Sequence, residues 1–82
     1  MAEGERVGLT ADGRVVLGIG IVLGKVTGSK RMWLAKAMIG NGGGQYATRK
    51  SAVYGLIEGA GYRVVVGEDD HLRAVPLEPE GN

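Results

Sequence analysis

Seven cations and one tryptophan are the residues of this chain whose types and spacing suit them to chemistry. Arg14, Lys25, Lys30, Arg31, Lys36, Arg49 and Lys50 stand in a window, Arg14 to Ile57, that holds none of the nine acidic residues. The window therefore carries seven positive charges against none negative, while the whole chain is only +1. Segregation of this kind is an argument about partners and encounter rates rather than fold. Trp33 lies beside Lys30 and Arg31. A tryptophan on a sheet can stack a base while neighbouring cations hold phosphate. The plainer reading makes Trp33 the chief core residue of a protein without phenylalanine. Arg49 and Lys50 fall in the first turn of a helix, where cations oppose the macrodipole but backbone amides bind anions. A solvated helix start is the plainer alternative there. The nucleic-acid contacts to be expected are Lys25, Lys30, Arg31, Trp33, Lys36, Arg49 and Lys50.

Other chemistries fail on spacing. Gly18-Ile-Gly20 lacks the third glycine of a dinucleotide fingerprint, and Gly20-Ile-Val-Leu-Gly24-Lys25 is one residue short of a phosphate loop. Val26 also stands where such a loop needs Ser or Thr to hold magnesium. His71, the only histidine, follows Glu68, Asp69 and Asp70. That spacing matches no calcium loop, and contiguous carboxylates in a tight turn cannot all face one ion. No base is in evidence for Ser29, Ser51 or the threonines. Neither an enzyme nor a metal or other cofactor is expected.

The elements that must position the cations form one small domain spanning 1–82, with flexible ends expected at 1–4 and 78–82. A chain of 82 residues buries only about 60–65 % of its unfolded surface, and with no cysteines it has no disulfide to help. Met1-Ala-Glu-Gly-Glu is short and acidic, so no secretion leader is expected. The longest apolar run is Val15 to Leu23, far below the about 20 residues of a spanning helix. Sixteen glycines are about three times the average share of ~7 % and interleave with Val, Ile and Leu, as in a β-rich globule.

Glu5 to Leu9 reads as a strand, and Asp12-Gly13 as a type I′ hairpin turn. Arg14 to Val26 alternates bulky and small residues as one long strand with a flattened glycine face at Gly18, Gly20 and Gly24. Met32 to Ile39 is apolar on both faces, as a strand covered on both sides would be. Thr48 is a good N-cap for a helix over about 48–60. Ala52, Val53, Leu56, Ile57 and Ala60 form its core stripe, and Ser51, Gly55 and Gly59 a ridge of small residues. Gly61 should end it in a Schellman motif. Tyr62 to Val66 and Leu72 to Leu77 form a last hairpin, with Pro76 at an edge or a frayed end. The fold expected is α+β: a small antiparallel sheet of about four to five strands with one helix packed on one face.

Trp33-x-Ala35, a glycine turn, then Gly44-Gln-Tyr46-Ala-Thr48-Arg-Lys-Ser-Ala52-Val-x-x-Leu56-Ile57 resembles the small β-β-α modules of phage and actinobacterial proteins. It is similar in outline to AP2-type and integrase arm-binding domains. The resemblance covers some 30 residues; it implies a sheet backed by one helix, DNA on the open sheet face, and contact roles for Lys30, Arg31, Trp33 and Lys36.

Two functions follow. The first is a small non-enzymatic accessory protein, phage-encoded and cytoplasmic in a bacterial host, that binds nucleic acid through its basic centre. The second is a protein-interaction or self-assembling module, a homodimer for example, using Gly18, Gly20, Gly24, Ser51, Gly55 and Gly59. Cations gathered on one face favour the first; cations scattered over the surface favour the second.

Overall fold

The computed structural model describes residues 4–18, 20–67 and 71–77. Ile19, the acidic run Glu68-Asp69-Asp70, and the ends expected to be flexible (except Gly4) lie outside the described residues. The elements are β1 (Glu5–Leu9), β2 (Arg14–Leu17), β3 (Ile21–Ser29), β4 (Met32–Ala37), β5 (Gly44–Tyr46), α1 (Arg49–Gly59), β6 (Tyr62–Val66) and β7 (Leu72–Pro76). Every strand pairing is antiparallel, in a seven-stranded sheet of order β5-β4-β3-β2-β1-β7-β6.

This corrects the expected α+β fold of four to five strands with a helix on one face. Strands make up 53 % of the described structure, and the sheet is a curled half-barrel around one short helix. The long strand expected over 14–26 is in fact two. Gly18 takes a left-handed φ of 59°, and Leu17 pairs with Ile21 across the resulting turn. Glycine adopts that backbone without the steric cost that a Cβ carries. The final hairpin also joins the same sheet, because β7 pairs with β1. Pro76 is the last residue of β7, where a missing N–H costs least.

Curling follows from where the helix packs. α1 rests on β3, β4 and β5 at one end of the sheet and on β6 at the other. Laid flat, those seven strands would put β5 and β6 roughly 29 Å apart at ~4.8 Å per strand. A helix about 10 Å across touches both only if the sheet wraps around it. The core is the lining of that wrap: Val15, Leu17, Leu23, Val26, Ala35 and Ala74 from the strands, and Ala52, Val53, Leu56 and Ile57 from α1. A β-bulge between Val15 and Val16 of β2, opposite Leu23, adds to the bend.

The helix begins and ends as its sequence implies. The Thr48 side chain accepts the Ser51 N–H at 3.0 Å. At the other end Gly61 has φ 97° and its N–H donates to Glu58 O at 3.1 Å. The Asp12-Gly13 turn differs from the expected type I′. Gly13 N–H donates to Thr10 O and Thr10 N–H to Arg14 O, both at 3.0 Å, and only Gly13 has positive φ. It is the three-residue hairpin whose glycine forms the bulge. The Asp12 carboxyl is held below its usual value mainly by the Thr10 hydroxyl, against an opposing desolvation effect and with help from Arg14 and Lys25. The sign of that shift makes Asp12 stabilising above the ordinary carboxylate range. The contribution fades as pH falls through the lowered value.

The small-residue ridge is used inside the molecule. A Cβ on Gly59 would sit 2.3 Å from Gly42 N, and one on Gly42 would sit 2.0 Å from Gly55 O. A Cβ on Gly55 would meet the Tyr46 hydroxyl at 2.1 Å, and that hydroxyl donates to Gly42 O at 2.7 Å. The Gly40-Asn-Gly-Gly-Gly44 turn thus lies directly on the helix backbone. Two opposed effects make a decisive variant of Gly59→Ala. Helix propensity alone would stabilise it by up to about 1 kcal/mol. The backbone collision should dominate, so urea denaturation is expected to show a loss of roughly 1–3 kcal/mol.

Candidate nucleic-acid interface

Period-two alternation sorts the strand residues onto two faces. On β4, Trp33, Ala35 and Ala37 turn toward the helix, and Met32, Leu34 and Lys36 turn away. The outward face was expected to be covered. It is bare: Met32 is 62 % and Leu34 47 % exposed. Register then fixes which outward residues are neighbours. Arg14 is opposite Lys25, and Lys25 is opposite Lys36, so three cations form a row across β2, β3 and β4. The next row along the same face is Thr27, Leu34 and Gln45 across β3, β4 and β5. Farther round the curve Arg6 is opposite Arg73. Arg63 alternates with the core-packed Tyr62 and Val64, so it also faces outward.

Among the described residues the one carboxylate paired with this face is Asp12, whose Oδ2 lies 3.3 Å from Arg14 Nε. Glu5 stands in register with buried Ala74 on the other face, and Glu58 is on α1. Like charges set directly opposite one another across an antiparallel ladder are destabilising. Arg14–Lys25, Lys25–Lys36 and Arg6–Arg73 are three such pairs. Arg73 Nε is also buried with no acceptor among the described residues. The two rows at the β3–β5 end enclose an open depression of about 420 Å³, lined by Lys25, Thr27, Leu34, Lys36 and Gln45 with Ala35 and Gly44 beneath.

The expected contact residues divide into three groups. Lys25 and Lys36 belong to the outer row. Lys30 and Arg31 form the two-residue tip of the β3–β4 hairpin, where Ser29 pairs with Met32 and Lys30 has φ 55°. Arg49 and Lys50 begin α1, with Lys50 Nζ 5.7 Å from the centre of the Tyr54 ring. Trp33 is half-buried on the helix side beside Tyr46, and its indole N–H donates to Lys30 O at 3.0 Å. That position is the core one.

The expected self-association residues are also dispersed. Gly24 faces inward, where a Cβ would meet Lys36 O at 2.4 Å and Leu56 Cδ2 at 2.9 Å. Gly55 and Gly59 are covered by Tyr46 and the glycine turn, and Ser51 accepts from the Thr48 hydroxyl at 2.9 Å. Gly18 and Gly20 remain exposed beside the β2–β3 turn.

Arg6, Thr27, Leu34, Gln45, Arg63 and Arg73 were not singled out by the sequence, and Arg14 was counted in the acid-free window but not among the expected contacts. Part of the signal was there: Lys25 and Lys36, like Thr27 and Leu34, are equidistant from Lys30-Arg31. A polar turn over 27–31 is legible, but its tightening to the two residues Lys30-Arg31 is not, because positive φ favours Gly or Asn. Arg14 joins the row only through the break at Gly18 and the bulge.

Among the described residues no three His, Cys, Asp or Glu side chains gather as a metal site, and no helix is long and apolar enough to cross a membrane. No family model, curated protein or solved structure matches the chain. The like-charge row has a measurable cost. Lys36→Glu turns the Lys25 pair attractive and is expected to raise stability by about 0.2–1 kcal/mol in chemical denaturation.

Proposed function

We propose that this protein binds nucleic acid through the outer, convex face of its sheet, as a non-enzymatic accessory factor. The observation that carries the reading is the row Arg14–Lys25–Lys36, extended around the face by Arg6, Arg73 and Arg63. A fold that keeps like charges in register at a cost to its own stability is suited to a polyanion that relieves the repulsion. Phosphates do so at each step, and release of their counterions supplies the free energy. Of the seven cations of the acid-free window, three lie in this row, Lys30 and Arg31 are at the hairpin tip, and Arg49 and Lys50 lie apart on the helix. That scatter by itself favours the interaction module; the reading rests instead on the like charges held in register. The resemblance to AP2-type and integrase arm-binding modules fits an open sheet face as the contact surface. With it goes the proposal of a phage-encoded protein acting in the cytoplasm of a bacterial host. A second copy of the chain is the alternative partner, favoured by exposed Met32 and Met38.

Fluorescence anisotropy with a labelled 20-mer tests this between 50 and 200 mM salt. Engagement of the three-cation row should give log K against log salt a slope of about −2 to −3. Lys25→Gln and Lys36→Gln should each reduce that slope by about 1. An anisotropy that stays flat at 50 mM salt, for duplex and single strand alike, would remove the reading.

A further inference from the structure

Resting on that reading, we infer that the depression at the β3–β5 end is a seat for one unpaired nucleotide, so the partner is single-stranded nucleic acid. The order of the two rows matches the order of groups in a nucleotide. Lys25 and Lys36 face each other across the ladder, with Arg14 next in line. Two residues along each strand, about 6.7 Å away, comes the row Thr27, Leu34, Gln45. The two lysines thus root roughly one sugar's length from an apolar residue flanked by a hydroxyl and an amide. A nucleotide has that same order: phosphate, sugar, then a flat base with an apolar face and polar edges.

The phosphate goes between the Lys25 and Lys36 ammoniums. The base lies over Leu34, whose side chain is nearly half exposed with nothing of the sheet above it. Thr27 and Gln45 flank Leu34 in register and each can donate or accept, so they reach hydrogen-bonding groups on the base edge. The open depression has a volume of about 420 Å³.

A duplex has no base face to offer this site, because its bases show only their edges in the grooves. Unpaired bases offer their faces as well, which is how sequence-tolerant single-strand binders hold them. Here Leu34 takes the place an aromatic residue usually fills, because Trp33 and Tyr46 point to the helix side.

The experiment compares a single-stranded 20-mer with the matching duplex at 150 mM salt, by anisotropy, for the native protein and for Leu34→Asn and Gln45→Ala. The single strand should bind measurably tighter than the duplex. Leu34→Asn should cost about tenfold on the single strand and leave duplex affinity unchanged, and Gln45→Ala should act in the same direction. Leu34 and Gln45 are exposed, and a thermal melt of each variant is the check that it is folded. Equal affinity for the two forms, or Leu34→Asn and Gln45→Ala both without selective effect, overturns the nucleotide seat and leaves the nucleic-acid reading standing. Binding to neither form removes both. A duplex preference abolished by Lys30→Gln with Arg31→Gln would also overturn the seat and move the contact to the hairpin tip.

Discussion

Gly40, Gly42 and Gly59 allow the backbone of the 40–44 turn to lie on the backbone of α1 with no side chain between them. That close approach holds the helix against β4 and β5, and the Gly61 turn then hands the chain directly to β6 at the opposite edge of the sheet. The two sheet ends are thereby fixed to one short rod, so the strands between them curl. The glycine frequency that looks peculiar in the composition has this physical cause. Gly55 lowers the helix propensity of α1 by about 1 kcal/mol, offset by the seat it gives to the Tyr46 ring and by the Tyr46–Gly42 hydrogen bond.

Curling around a single helix gives each strand one occupied face and one bare face. Small and branched residues such as Val15, Leu17, Leu23, Val26, Ala35 and Ala74 fill the inside. The alternate positions carry the outward residues, which explains why Arg6, Arg14, Lys25, Lys36, Arg63 and Arg73 share one surface although they are scattered over the sequence. The charge pattern and the fold are therefore one constraint. A surface with three like-charge pairs in register is not the arrangement that stability alone would select.

The helix, its Thr48 cap, its Gly61 end, the first strand and the last hairpin were legible in the sequence, because each rests on a local signal of periodicity or turn chemistry. The sheet was not. Gly18 reads in one dimension as a small residue in a strand, and only its left-handed φ makes it a turn. The union of β1 with β7 is a contact between residues nearly seventy apart, which no local pattern encodes. The site was half legible. The acid-free window located Lys25 and Lys36, but the face they share depends on a two-residue turn at Lys30-Arg31 that the residue types disguise. Trp33 drew attention by being unique, whereas the register assigns it to the helix side and leaves Leu34 in the open.

The most direct test of a convex-face interface is amide chemical-shift mapping by NMR during titration with a short oligonucleotide. Shifts are expected to concentrate at Arg14, Lys25, Thr27, Leu34, Lys36 and Gln45, with Arg49, Lys50 and the exposed side of α1 unaffected. Shifts confined to the start of α1, or spread evenly over both faces of the sheet, would contradict it.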